Sequence, residues 1–181
     1  SLVAAVASFL DARHAGGKWL LRIEDLDPPR ESIDAPQEII RQLLALGLHW
    51  DLDVLCQSSR LKSYDDALES IQTFTFPCTC SRKAVPDIYP GTCRLRKHLA
   101  PGGPYAVRLQ VPRHSVSIND RCLGLQTWDL EKEVGDFIIK RKDGLHAYQL
   151  AVVVDDKAVV HLEEISVSLI EPQPDELGIR H

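Results

Sequence analysis

Three cysteines and one charged loop are the stretches of this sequence whose residue types and spacing could do chemistry. Cys78-Thr79-Cys80 sets two thiols on the same face of an extended segment, because side chains alternate along a strand. Cys93 follows twelve intervening residues later, with Pro86, Pro90 and Gly91 to turn the chain back. Three thiolates suit zinc, which takes four tetrahedral N, S or O ligands. Asp87, Tyr89 and His98 are within reach for the fourth place. His98 is the usual choice on chemistry, whereas Tyr89 would need its phenol deprotonated, which a zinc ion with basic neighbours supports. The competing reading is a set of reduced, unliganded thiols, since C-x-C is a weaker signal than paired C-x-x-C.

The second stretch is Arg22 to Arg30, read Arg-Ile-Glu-Asp-Leu-Asp-Pro-Pro-Arg. It follows the apolar Trp19-Leu20-Leu21, so a buried strand is expected to end in a fixed loop. Glu24, Asp25 and Asp27 lie between two guanidinium groups, Arg22 and Arg30, and the paired prolines restrict the backbone. A rigid charged loop at a strand's carboxyl end is where open α/β sheets bind ligands. A solvated turn whose charges pair among themselves is the alternative.

The elements that must position these residues can be read along the chain. Leu2, Val3, Val6, Phe9 and Leu10 recur at helical spacing up to Gly16-Gly17. A strand at Trp19 to Ile23 follows. Asp34 and Gln37 look like a capping box before a helix with Ile39, Ile40, Leu43 and Leu44 on its apolar face, ended by Gly47. Ser58 or Ser59 could cap a third helix with Leu61, Tyr64, Leu68 and Ile71 facing the core. This alternation suggests half of a parallel α/β sheet. From Pro77 the sequence becomes loop-rich, with strands expected at Tyr105 to Val111 and Cys122 to Thr127 and a helical turn in Trp128 to Gly135. From Asp136 the α/β pattern resumes with a strand at Phe137 to Ile139. Ala147 to Val154 reads as a buried strand or the start of a helix.

Composition bounds the classes. A chain of 181 residues, 44% hydrophobic and 26% charged, is ordinary for a globular protein with one core or one core and an inserted subdomain. Its net charge of −5 provides no global basic footprint for nucleic acid, so any such contact must be local. Arg82, Lys83, Arg94, Arg96 and Lys97 against Asp87 form one local excess, suited to phosphates or to a solvated surface. The apolar run Leu150 to Val154 is too short to cross a bilayer, and no secretory signal is visible, so a cytoplasmic location without membrane contact is expected. Five cysteines without secretory features favour metal over disulfide, and Cys56 and Cys122 read as small core hydrophobes. The sequence contains no methionine, and a segment of a longer chain is expected.

Together these pieces resemble the glutamyl-queuosine tRNA(Asp) synthetase family, shortened paralogues of glutamyl-tRNA synthetase. Arg22 to Arg30 resembles the family's R-I-E-D-x-D-P-P-R stretch. Cys78, Cys80, Tyr89 and Cys93 fit its zinc motif, which includes the tyrosine. Asp136 to Gly144 and Ala147 to Asp156 resemble the segments around the second half-sheet. The double proline and the C-x-C favour this family over ordinary glutamyl-tRNA synthetase.

The resemblance implies an α/β fold, a Rossmann-type class I synthetase catalytic domain interrupted by a small zinc-bearing insertion. Residues 1–76 would be its first half, 77–135 the insertion and 136–181 the start of the second half. It implies zinc as cofactor, held by Cys78, Cys80, Tyr89 and Cys93. It also implies ATP with Mg2+ as co-substrate, and a glutamate pocket that includes Glu24 for the ammonium group and Tyr148 as a hydroxyl and apolar wall. The implied reaction is activation of L-glutamate by ATP and its transfer to queuosine in the anticodon of tRNA(Asp), by a monomer.

Two family signatures on the ATP phosphates, a Pro-Ser-x-Gly-x-x-His-x-Gly segment and a Lys-x-Ser-Lys loop, have no counterpart between Ser1 and His181, and no catalytic residue is assigned. Glu164 to Ser168 stands where a glutamate-binding arginine is expected. The segment alone is therefore expected to be inactive. Alternatives are a fragment of an ordinary glutamyl-tRNA synthetase and a non-catalytic zinc-binding RNA module.

Overall fold

The computed structural model describes residues 2–28, 34–96 and 102–160. Arg30, Lys97, His98 and Glu164 to Ser168 lie outside the described residues. The chain divides into two compact units, one of residues 2–67 with 148–160 and one of residues 68–147.

In the first unit, helix α1 (Leu2–His14) leads into strand β1 (Arg22–Ile23), helix α2 (Ala35–Ala45), strand β2 (Leu55–Cys56) and helix α3 (Leu61–Ser70), which carries the chain out of the unit. Strands β1 and β2 pair in parallel, Arg22 with Leu55 and Ile23 with Cys56, with α2 as the crossover. This is the parallel α/β unit that the strand–helix alternation suggested. The strand is shorter than the apolar run predicts: Trp19 and Leu21 join the ladder's approach only by single bonds, Asp51 N–H to Trp19 O at 2.8 Å and Leu55 N–H to Leu21 O at 3.0 Å.

The core of this unit is Ala12, Trp19, Leu43 and Leu48, with Ala5, Phe9, Leu21 and Trp50 packed against it. The packing face of α1 is thus Ala5, Phe9 and Ala12, spaced for one side of a helix. The small alanines let the helix approach, and Phe9 meets Trp19 edge-on at 5.3 Å. Leu2, Val3 and Leu10 are exposed, contrary to the apolar face expected for them. The capping box at Asp34 is also absent. Asp34 itself has helical dihedrals and makes no side-chain cap, so its carboxylate does not turn back on the first turn. Leu43 is buried as expected, but Ile39 and Leu44 are exposed.

Helix α4 (Tyr148–Val160) closes the unit, which settles the apolar stretch from Ala147 as a helix. It is pinned by Asp155, a fully buried carboxylate. Asp155 accepts from Gln57 Nε2 at 2.8 Å, Arg60 Nε at 2.6 Å and Tyr64 OH at 2.9 Å. Burial, then the hydrogen bond to Asp155, pushes the Tyr64 phenol up. Asp155→Ala would leave a guanidinium, an amide and a phenol without their common acceptor. It is expected to cost roughly 3 kcal/mol in urea unfolding, the scale of a broken buried pair.

In the second unit, strands β3 (Thr75–Cys78), β4 (Ala106–Leu109) and β7 (Phe137–Lys140) form an antiparallel sheet with β4 in the middle. Phe137–Lys140, expected where the α/β pattern resumes, therefore pairs with a strand of the loop-rich region. Strands β5 (Ser115–Asp120) and β6 (Gly124–Asp129) form a hairpin, and a π-helical turn, Leu130–Val134, follows. Cys122 sits exposed in the hairpin turn and Cys56 is only partly buried, so neither is a core residue. The turn's amides, not a thiol contact, fix that site: Cys122 N–H and Leu123 N–H both donate to Asp120 Oδ1 at 2.8 Å.

Candidate functional site

The cysteines meet in the second unit. Cys78 ends β3, Cys80 lies two residues on, and Cys93 returns just before a 3-10 turn, Arg94–Arg96. Their Sγ atoms all lie within 4.8 Å of one another. The Tyr89 hydroxyl completes the group, 3.6 Å from Cys78 Sγ and 3.9 Å from Cys80 Sγ, and Cys80 and Cys93 are 3.6 Å apart at sulfur. Zinc–sulfur bonds of about 2.3 Å at tetrahedral angles would set neighbouring donors about 3.8 Å apart. Three edges of the three-thiol, one-phenol donor set thus match those of a tetrahedral site, and the cluster could bind a metal.

The surroundings fix these donors. Phe76, Cys78, Tyr89 and Cys93 are one buried cluster, with Cys80 and Val85 against it. Tyr89 stacks on Phe76 at 6.1 Å and lies under the Arg108 guanidinium, 3.9 Å from the ring centre. The Cys93 amide donates to the phenol oxygen at 2.7 Å, a bond that favours a negative oxygen there. Lys142 Nζ donates to Thr79 O at 2.6 Å, closing the C-x-C segment. Burial opposes the Cys93 thiolate, but its hydrogen bonds, first to Tyr89, bring the thiol down to about 7. Burial pushes the Tyr89 phenol and the Cys80 thiol up, both helped by bonds to Cys93.

Gly135 supports the same loop from behind. Its φ is +66°, and a Cβ there would meet Ile88 Cγ2 at 2.9 Å and Tyr89 N at 3.3 Å. Gly135→Ala is expected to lower stability by roughly 2 kcal/mol through strain and contact together, read as an earlier thermal transition.

The structure also corrects the basic cluster. Arg94 does not face solvent as a phosphate contact. It forms an ion pair with the buried Asp136, with Nε at 2.9 Å, and also donates to Val111 O at 3.1 Å. Asp136 in turn accepts from Val111 N–H at 2.9 Å, and its carbonyl accepts from Arg108 Nη1 at 2.6 Å. Nothing in the local spacing signals this pair, because its partners lie 42 residues apart. Arg82 and Lys83 are exposed.

The charged loop leaves β1 in the first unit. Glu24 is exposed and pairs with Arg22 Nη2 at 3.0 Å. Arg22 also reaches Asp156 on α4. Asp25 accepts from Ser58 N–H at 2.8 Å and Ser58 Oγ at 2.5 Å. Despite partial burial, these bonds hold its carboxyl below the usual range. Ser58 therefore serves the loop rather than capping α3. Tyr148 is the first residue of α4 and is exposed. Sequence reasoning missed Arg22–Asp156, although the acidic pair Asp155-Asp156 on an apolar helix was a visible signal.

Fold and sequence are both similar to one class of protein. Residues 1–85 match the model of tRNA synthetases class I (E and Q), catalytic domain. A crystal structure of a glutamate tRNA ligase from Elizabethkingia meningosepticum, in complex with its amino acid, superposes with a TM-score of 0.74 at 22% identity, covering 86% of this chain and 38% of that one. The fold is that of a class I tRNA synthetase catalytic region, mixed helix and strand.

The particular relatives are glutamyl-Q tRNA(Asp) synthetases. That of Pseudomonas fluorescens is 48% identical over 161 residues, 86% of this chain and 53% of the relative. That of Thiobacillus denitrificans is 51% identical over 167 residues, 86% of this chain and 55% of the relative. The resemblance read from the motifs thus holds along most of the chain, which spans about half the length of the curated relatives it matches.

Proposed function

We propose that the chain carries the amino-acid side of a cytoplasmic, monomeric ligase that activates L-glutamate with ATP and Mg2+ and transfers it to queuosine in tRNA(Asp). The observation that carries this is the identity of about half of all aligned positions to glutamyl-Q tRNA(Asp) synthetases, over 86% of the chain. In this reading Glu24 takes the substrate ammonium group, and Tyr148 supplies a hydroxyl and an apolar wall. Residues 1–76 and 136–181 belong to the catalytic domain, and residues 77–135 form its metal-bearing insertion. Zinc is the cofactor, held by Cys78, Cys80, Cys93 and Tyr89, where it would staple the unit formed by residues 68–147.

The complete enzyme is expected to catalyse glutamate-dependent ATP–pyrophosphate exchange and to label tRNA(Asp) with glutamate only when queuosine is present. Charging of a glutamate-accepting tRNA instead would assign the chain to an ordinary glutamyl-tRNA synthetase. Failure of exchange altogether would favour a non-catalytic zinc-binding RNA module.

A further inference from the structure

The charges at Glu24 are not those of a lone ammonium acceptor. Arg22 places Nη2 at 3.0 Å and Nε at 3.3 Å from the same oxygen, Glu24 Oε1. A guanidinium that close cancels the carboxylate's charge, and a neutral pair draws an incoming cation only weakly. Asp156 alters that balance. Its Oδ1 accepts from Arg22 Nη1 at 2.5 Å, so one guanidinium is shared between two carboxylates and a single negative charge remains. The three side chains are 24 to 39% exposed, so solvent weakens their fields without removing them.

The arrangement is also fixed in place. Asp155, the neighbour of Asp156 on α4, is locked by Gln57, Arg60 and Tyr64. Asp25, the neighbour of Glu24, is locked by Ser58. Arg22 spans Glu24 and Asp156, whose chain neighbours are the anchored ones, and occupies Oε1 of Glu24. No other hydrogen bond to Glu24 is formed among the described residues, which leaves Oε2 for a ligand.

We infer that Asp156 and Arg22 are positioning residues for Glu24: Arg22 orients its carboxylate, and Asp156 offsets the guanidinium so that the group keeps a net negative charge for a substrate ammonium. The inference rests on the glutamate-pocket reading above. It concerns charge at one substrate atom, so it separates two ligands that share both carboxylates and differ in the amine. Glutamate has the ammonium group, and glutarate lacks it.

The test uses the complete enzyme, pyrophosphate exchange for the glutamate KM, and glutarate as a competitive inhibitor. In Asp156→Asn the glutamate KM is expected to rise about tenfold, the scale of one unit charge felt across several ångströms of partly solvated site. The glutarate inhibition constant is expected to stay the same or fall. Asp156→Ser carries the same expectation as a second variant, and Asp156→Glu should recover most of the glutamate affinity. Equal weakening of glutamate and glutarate overturns the inference, because a merely structural role would move both. So does a glutamate KM within about twofold of the parent. Glu24→Ala separates the two levels of failure. If Glu24→Ala abolishes exchange while Asp156→Asn is silent, only the inference falls; if Glu24→Ala leaves the glutamate KM unchanged, the pocket reading falls and the inference falls with it.

Discussion

Cys78→Ser is expected to reduce bound zinc from about one ion per chain to near none, as loss of one thiolate from a four-donor site requires. The site's contribution to folding should go with it. Structural zinc supplies on the order of 10 kcal/mol to small metal-dependent folds, and the cysteine cluster is itself a buried core cluster of the unit formed by residues 68–147. Cys78 is the appropriate choice because it is 1% exposed and ends β3, so its thiol is held by the ladder to Ala106 and not by a loop alone. A chelator added to the parent protein should reproduce the variant's early unfolding, and zinc should reverse it in the parent only. Tyr89→Phe makes the sharper comparison. It keeps three thiolates and the ring's stack on Phe76 but loses the oxygen that accepts the Cys93 amide. Metal should remain in that variant and exchange with a competing chelator faster. Elemental analysis that finds no metal in the parent protein, purified without chelators, would remove the zinc assignment.

How much of this was visible in advance depends on the range of the interactions. The parallel α/β character of the first unit was readable because helical and strand periods are local, although the two-residue strand β2 was not itself expected; the grouping of Cys78, Cys80 and Cys93 was readable too, since a two-residue step on a strand and a proline-assisted return are both local geometry. The exposed side of α1 was not readable. Leu2, Val3 and Leu10 satisfy a helical period, but which stripe faces the core is chosen by Trp19, whose indole needs Ala5, Phe9 and Ala12 beneath it. Hairpin strand β5 was not among the strands expected, because Ser115, Ser117 and Asn119 alternate with only two apolar residues, Val116 and Ile118. Its pairing with β6 is fixed only when Ser117 Oγ meets Thr127 Oγ1 at 2.8 Å and Val116 faces Trp128. Buried charges were the least readable of all. Arg94 counted as one of five cations in a surface cluster, yet it spends its charge on Asp136. That partnership depends on the sheet that brings residues 94, 111 and 136 together, and no window of sequence contains it.

Glu24→Ala is expected to abolish glutamate activation in the complete enzyme, with ATP binding retained. A glutamate substrate brings one ammonium and two carboxylates, and the ammonium needs a fixed anion to be distinguished from solvent. A partly exposed charge-assisted bond is worth roughly 2 kcal/mol in binding. Misplacement of the attacking carboxylate adds to that, since correct orientation of reactants can itself supply about 7 kcal/mol or more of the barrier. The combined loss should appear in kcat as well as KM, unlike the change expected for Asp156→Asn, which alters the field at Glu24 but leaves an acceptor in place. The variant also isolates the binding role from a folding role. Glu24 is exposed, its pair with Arg22 lies in solvent reach, and surface pairs of this kind contribute little to stability. The thermal transition of Glu24→Ala should therefore match the parent while exchange disappears. Arg22, released from Glu24, keeps Asp156 as its partner, so the strand end need not rearrange. Exchange kinetics close to the parent's would show that the ammonium group is held elsewhere and that the acidic loop after β1 is a solvated turn.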